Sequence, residues 1–291
     1  MWIADGWKDY EVLDTGDGQK LERWGEYILI RPDPQVIWPK TDERLWKSAH
    51  AHYHRSEKGG GSWEIFDLPQ QWQISYGHGN SILNFMLKPL GFKHTGLFPE
   101  QAANWDWCMD IISHAKALGR DARVLNLFAY TGAATLAALS QEAAVTHVDA
   151  SKGMVGWAKE NASISGLSEA PVRWLVDDCS KFVKREIRRE HVYDAIIMDP
   201  PSYGRGPSGE IWKIEEKIYE LIADCEKLLS DTPLFFLVNS YTTGLQAGVL
   251  QYIIDDIITR RHGGVCHADE IGLPIRSGGV LPCGCSGRWT I

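Results

Sequence analysis

From residue 124 onward, apolar and polar positions are arranged in alternating blocks. Short apolar runs such as VLNLFA (124–129), THVDAS, VRWLVDD, AIIMDP and LFFLVNSY read as strands buried on both faces. Between them lie longer stretches with apolar residues every three or four positions: GAATLAALSQEA, KGMVGWAKENASISG, CSKFVKREIRRE, KIEEKIYELIADCEKLLS and LQAGVLQYIIDDIITRR. The last two runs, CHADEIGLP and GGVLPCGCSGRWTI, follow one another without a helix. Five strand–helix units and a closing hairpin predict an α/β fold, a doubly wound, mostly parallel sheet with an antiparallel strand at one side.

The first hundred residues carry a different pattern. YEVLDTGDGQKLERWGEYILIRP reads as two strands around the turn TGDGQ, and WEIFDLP, WQISYG and ILNFMLK continue as strands. SEKGGGSW reads as a flexible loop. A helix is expected from near Glu100 through WDWCMDIISHAKALG. The expected organisation is therefore a small β-rich N-terminal domain, 1–99, and an α/β domain, 100–291.

Composition narrows the class only a little. The 291 residues are 44% hydrophobic and 23% charged, enough for one large core and an annex. No apolar run approaches a membrane span and the start shows no signal-peptide pattern, so no membrane association is expected. Six scattered cysteines without framework spacing suggest a reducing, cytoplasmic setting. A net charge of −8 argues against a general nucleic-acid coat, but not against an enzyme with a local basic surface. KFVKREIRRE offers Lys184, Arg185, Arg188 and Arg189 for such a surface; an ordinary solvated helix face is the bland alternative. Thirteen tryptophans, nine of them before residue 110, are expected mainly in the core.

The chemistry starts at the first strand-to-helix turn, NLFAYTGAAT. Dinucleotide-binding folds place G-x-G-x-x-G here, so that bare backbone can approach a pyrophosphate. This turn has only Gly132, with Phe128 and Tyr130 where bare backbone would be needed, and no G-x-x-x-x-G-K-[ST] occurs. NAD and ATP are disfavoured. An adenosine cofactor without phosphates suits the turn, and S-adenosylmethionine is such a cofactor. Asp149 ends the second strand, twenty-three residues after Asn126. A carboxylate there can accept both ribose hydroxyls. Asp178, after the third strand, can accept from the adenine amine. Helix capping is the competing role for both. Two acids after adjacent strands, with a glycine turn after the first, favour the cofactor role. The residues at these strand ends are Asn126, Phe128, Tyr130, Thr131 and Gly132 at the first, Asp149, Ala150 and Ser151 at the second, Asp178 and Cys179 at the third, and Asp199 at the fourth; the resemblance described next implies cofactor contacts from among them.

With NLFAYTGAAT, HVDAS, DDCSKFVKREIRR and DPPSYGRG in this order, the chain resembles the class I S-adenosylmethionine-dependent methyltransferases. Within that class it looks most like the group that includes the ribosomal-RNA large-subunit cytosine-C5 methyltransferases. The similarity covers about residues 90–291, including KHTGLFPEQ and GGVLPCGCSGRW. It implies a seven-stranded Rossmann-like sheet, cofactor contacts from Phe128–Gly132, Asp149, Asp178 and Asp199, and RNA as partner, ribosomal RNA first. The two-stranded RNA-binding annex common in that group is not evident; the tryptophan-rich segment occupies its place.

Asp199-Pro200-Pro201-Ser202-Tyr203 ends the fourth strand, and prolines there stop the strand and turn the chain at the ligand edge. For an exocyclic amine, the Asp199 carboxylate and Pro200 carbonyl would accept the amine hydrogens and Tyr203 would stack on a flipped base. Arg205 and Asn239 are further candidate substrate contacts. Amine methyltransferases usually carry the aromatic directly after the prolines; here Ser202 intervenes. The competing C5 chemistry needs a cysteine nucleophile, which in the resembling group follows the fifth strand. This chain has LVNSYTTG there. Gln101 and Asn104 are expected either over the cofactor or in helix-start packing. Cys266-His267 with Cys283-x-Cys285 fits no common zinc spacing, so no metal is expected. Two other functions suit the same motifs: methylation of a protein side chain or small molecule, and a non-catalytic RNA- or ribosome-binding relative.

Overall fold

The computed structural model describes residues 1–56, 60–89, 91, 93–205 and 211–291. The chain divides into two compact units, one comprising Trp2–Ala103 with Gly272–Cys283, the other Asn104–Ile271 with Gly284–Ile291 and Met1. The tip of the last hairpin thus belongs with the N-terminal residues, an assignment the hydrophobic pattern does not show.

The second unit is built on a sheet whose strands are β1 (Arg123–Leu127), β2 (Ala144–Asp149), β3 (Val172–Val176), β4 (Ala195–Met198), β5 (Phe235–Ser240), β6 (Val265–Pro274) and β7 (Val280–Thr290). Their order is β6-β7-β5-β4-β1-β2-β3, and a two-residue strand, Trp2–Ile3, stands outside β6. β3, β2, β1, β4 and β5 are parallel, and β7 is antiparallel to β5. This is the expected doubly wound, mostly parallel α/β sheet, and the chain also has a β-rich N-terminal part.

Each apolar run is continuous because alternate residues feed two cores. Leu125, Leu127, Ile196, Met198, Phe236 and Val238 pack on one face against α4 (Cys179–Arg188), α5 (Ile214–Glu226) and α6 (Ala247–Ile254). Val124, Ala195, Ile197, Phe235 and Leu237 pack on the other against α1 (Ala102–Ala117) and α2 (Ala133–Ser140). α3 (Lys152–Ile164) completes the set. α4 shows how patterning sets the buried face: Cys179, Phe182, Val183 and Glu186 lie inward at helical spacing. A 3₁₀ turn, Pro99–Gln101, leads into α1. The last predicted helix is interrupted after α6 by a π turn, Asp255–Thr259.

The N-terminal unit contains a five-stranded sheet in the order Tyr10–Gly16, Gln19–Trp24, Tyr27–Pro32, Ala51–Arg55, Gly61–Ile65, and a separate hairpin, Trp72–His78 with Ser81–Leu87. Where two strands were expected around TGDGQ there are three. Asp17 and Gly18 make the first two-residue turn, both with positive φ, as that hairpin type requires. Gly25, with φ of +66°, makes a second turn inside what reads as one continuous run. Residues 57–59 of the expected SEKGGGSW loop lie outside the described residues. At the centre of the sheet Arg31 grips buried Glu22 through two hydrogen bonds of 2.6 and 2.7 Å, and Tyr10 donates to the same carboxylate at 2.6 Å. Despite its burial, the Arg31 and Lys20 charges hold the Glu22 carboxyl down to about 2.

A buried histidine gives the sheet unit a pH dependence. Asn126 Nδ2 donates to Thr135 Oγ1 (2.9 Å), and the Thr135 hydroxyl shares a hydrogen bond with His147 Nδ1 (2.9 Å). Burial depresses His147 to about 3, so it is neutral in the fold. Because the unfolded chain binds a proton there more readily, stability is full above about pH 6.5 and is lost as pH falls toward 3. The slope from one such group reaches about 1.4 kcal/mol per pH unit. Urea midpoints measured at pH 7 and pH 4.5 should fall less in His147→Leu than in the unsubstituted protein.

Candidate active site

The register of the parallel strands decides which residues meet at the carboxyl edge. Leu127 lies beside Val148 on one side and Met198 on the other, and Met198 lies beside Val238. The next residues, Phe128, Asp149, Asp199 and Asn239, therefore leave their strands at one level. The chain order reverses there, between β1 and β4, where open α/β sheets form their ligand crevice.

The turn after β1 is held in a conformation that side-chain-bearing residues avoid. Phe128, Tyr130 and Gly132 have φ of +54°, +49° and +86°. For the two non-glycines this costs about 1–2 kcal/mol each. Hydrogen bonds compensate: Phe128 N–H donates to Cys179 Sγ (3.2 Å), Ala129 N–H to Val148 O (3.1 Å), and Tyr130 N–H to Asp149 Oδ2 (2.8 Å). Thr131 O accepts from buried Asn161 Nδ2 at 2.9 Å. Gly132 begins α2, and a Cβ there would come within 2.8 Å of Ala158 Cβ on α3. The glycine is required both by its φ and by close helix packing.

The two acids proposed from spacing take different local roles. Asp178 is the N-cap of α4, accepting from Lys181 N–H at 2.8 Å. Asp149 does not cap α3; Ser151 does, through Met154 N–H. Asp149 instead receives Tyr130 N–H on one oxygen and Ser151 N–H on the other, both at 2.8 Å. It thus ties the turn after β1 to the end of β2. Burial pushes its carboxyl above the ordinary range, and the two amide donors pull it part-way back. Ala150 and Ser151 are exposed at the same edge. Asn126 is buried beneath the turn with its amide on Thr135. Cys179 is buried, its thiol between Phe128 N–H and Val148 O, and burial drives its pKa far up. A cavity of about 230 Å³ opens beside Asp178, bounded by Lys181 and Lys184 of α4, Trp212, and Lys217 of α5.

The Asp-Pro-Pro-Ser-Tyr loop is anchored from several sides. Asp199 is half-buried, and its N–H points to Leu127 O at 3.4 Å. Pro200 is buried, Pro201 O accepts from Trp212 Nε1 (2.6 Å), Ser202 O accepts from Ile214 N–H (3.1 Å), and Ser202 Oγ meets Thr242 Oγ1 (2.5 Å). Tyr203 starts a short strand, Tyr203–Arg205, paired with Ile211–Lys213. Tyr203 is 51% exposed. The expectation for the Arg205 side chain lies outside the described residues.

Trp212 is the residue that pattern reading missed. Its ring lies 5.4 Å from that of Phe128, so it joins the loop after β4 to the turn after β1. An aromatic just after the glycine-rich stretch GRGPSG was the available signal. Asn239 is buried rather than open at the edge. Its Oδ1 accepts from Asn104 Nδ2 (3.0 Å) and Ser286 Oγ (2.7 Å), and Arg288 Nε donates to Asn104 Oδ1 (2.8 Å). Gln101 is buried in the N-terminal unit. On α4, Lys184 pairs with Glu220, Arg185 with Asp177 and Arg189 with Glu186, so most of the basic stretch is neutralised internally.

A family profile described as S-adenosylmethionine-dependent methyltransferase matches residues 57–232, more than half of the chain. The chain belongs to this family. The chain is 34% identical to the SAM-dependent methyltransferase of Agrobacterium tumefaciens, whose crystal structure superposes with a TM-score of 0.90, covering 97% of this chain and 90% of that one. A putative SAM-dependent methyltransferase of Streptococcus mutans shares the fold at 17% identity and a TM-score of 0.75, covering 99% and 76%. Two curated relatives are named ribosomal RNA large subunit methyltransferase K/L. The one from Shewanella frigidimarina is 32% identical over 68% of this chain, and the one from Shewanella baltica is 28% identical over 85%. The chain spans only a quarter to about a third of their lengths, 25% and 30%. The relationship is to these K/L proteins and not specifically to the cytosine-C5 group. The family's cofactor is S-adenosylmethionine. The edge suits it, with a one-glycine turn lacking a nest of bare amides for pyrophosphate, and a half-buried carboxylate after β2.

The turn generates a direct test. Gly132→Ala should destabilise the protein by about 1–3 kcal/mol, through positive φ and overpacking against Ala158. The readout is the urea midpoint of unfolding.

Proposed function

We propose that the methyltransferase modifies a base of RNA, with ribosomal RNA the first substrate to test. The observation carrying the proposal is Tyr203: were Asp-Pro-Pro only a strand terminator, this ring would pack in the core, yet it is half exposed next to half-buried Asp199 on an anchored loop. A half-exposed aromatic side chain on the same loop as the Asp199 carboxylate and the Pro200 carbonyl suits a flipped base. The names of the K/L relatives support RNA as the substrate class. No helix of the described residues is long and apolar enough to cross a membrane, and all six cysteines are free and buried, which suits a cytoplasmic enzyme.

In this reading S-adenosylmethionine supplies an electrophilic methyl group on its sulfonium. Asp149 would accept from the ribose hydroxyls, and Asp178 would keep its capping oxygen on Lys181 N–H while its other oxygen served the adenine. Asp199 and the Pro200 carbonyl accept the hydrogens of an exocyclic amine, localising its lone pair toward the methyl. The gain is mainly one of alignment. Cysteine-assisted C5 chemistry has no support. Burial pushes Cys285 up to about 11 and Cys266 up to about 12, and raises the other four still further, so none is a thiolate at neutral pH.

A second reading, a protein or small-molecule acceptor, is favoured by one observation, the internal pairing of the α4 basic residues on an acidic chain. Transfer of labelled methyl from the cofactor to total RNA, protein extract or metabolites separates the readings. Label in RNA is expected; label in protein or metabolites alone would overturn the proposal. Absence of cofactor binding by calorimetry would leave only the non-catalytic relative.

Substitutions divide the roles. Asp149→Ala should weaken cofactor binding by about 1.5–3 kcal/mol, measured by titration calorimetry. Asp199→Ala should abolish turnover with the fold intact. Tyr203→Ala should weaken the acceptor by about 1–3 kcal/mol, seen in KM. Single Cys→Ser replacements at 179, 283 and 285 should leave turnover; a folded, cofactor-binding but inactive one would redirect the mechanism to C5 chemistry.

A further inference from the structure

We propose that the N-terminal unit carries a binding site for a divalent cation of the zinc type, formed by His52, His54 and Glu64. Among the described residues this is the one group of three or more potential ligand side chains drawn together. One ligand atom from each lies within 4.8 Å of the others.

The backbone builds this arrangement. In the strand Ala51–Arg55, Ala51 and Tyr53 are buried, so His52 and His54 stand together on the opposite face. The partner strand, Gly61–Ile65, places Glu64 directly across from His52. Tyr53 and Trp63 pack edge to face, 5.4 Å apart, and hold the two strands in register. Gly61 completes the pairing, since a Cβ there would lie 2.1 Å from His54 O. The three ligand-bearing Cβ atoms are therefore fixed by sheet geometry, and little order remains to be imposed on binding.

The side chains are set as ligands are. The imidazole rings of His52 and His54 lie 3.9 Å apart between centroids, and His54 Nε2 is 2.8 Å from Glu64 Oε2. Gln19 Nε2 lies 2.8 Å from His52 Nε2, a contact that fixes the orientation of this ring. Two imidazole nitrogens and one carboxylate oxygen, with water in the fourth position, are a common donor set for zinc. As a plain surface ion pair, His54–Glu64 would contribute less than about 1 kcal/mol and would give no reason for a second imidazole against the first. A bound cation satisfies both rings and the carboxylate at once. The half-exposed position and the positive charge of nearby Lys40 set the expected affinity in the micromolar range rather than below it.

The test uses the full chain, stripped with a chelator and titrated calorimetrically with zinc chloride. One equivalent should bind with a Kd of order 1–10 µM, and cobalt(II) should give the visible absorption of a tetrahedral site. His54→Ala and Glu64→Gln, both at exposed positions, should each weaken binding at least about tenfold. His114→Ala, a histidine of the other unit, should leave it unchanged. Zinc should raise the melting temperature of the unsubstituted protein and not that of His54→Ala. No saturable zinc binding below about 100 µM, or equal binding by His54→Ala and Glu64→Gln, would overturn the site.

Discussion

The register of five parallel strands is the constraint from which the candidate active site follows. Because Val148, Leu127, Met198 and Val238 sit side by side, the residues after them reach the same edge together. None of these residues is near another in sequence. Parallel pairing forces their convergence, since strands that run the same way release their carboxyl ends at the same side. The helices cover the two faces, so the edge is the place left for chemistry.

Within that edge, Asp149 couples two turns. Its oxygens hold Tyr130 N–H and Ser151 N–H, and Cys179 holds Phe128 N–H from the next strand over. The unfavourable backbone at Phe128 and Tyr130 persists because two neighbouring strand ends, those of β2 and β3, satisfy its donors. Trp212 performs the matching task above, with its ring near Phe128 and its indole on Pro201 O. The Asp199 loop and the first turn are thus parts of one assembly. A substitution in either is expected to be felt in the other.

The two units solve the problem of buried polarity differently. In the N-terminal unit, Glu22 and Arg31 are a buried pair with a tyrosine completing the carboxylate's partners. In the sheet unit, Asn104, Asn239, Ser286 and Arg288 form a network under the edge, and burial lowers Arg288 to about 10. Breaking such a network leaves an unpaired buried group, the costly outcome for polar residues in a core. Asn239 is accordingly occupied structurally at the position where pattern reading placed a substrate contact.

The sequence by itself determined the doubly wound sheet, the strand and helix order, and the one-glycine turn with its acids. These are local: apolar periodicity, turn residues and strand-ending carboxylates are written in contiguous residues. It did not separate Asp149 from Asp178, since both are acids after strands and before helices; only the structure shows the second capping its helix and the first bridging two turns. Nor could it show Gly25 splitting one run into two strands, Trp212 reaching Phe128, or His52 and His54 facing Glu64. Each of these depends on which strands become neighbours, and in what register. Pairing is a property of the packed chain, settled by burial of both strands at once, and no single segment carries it.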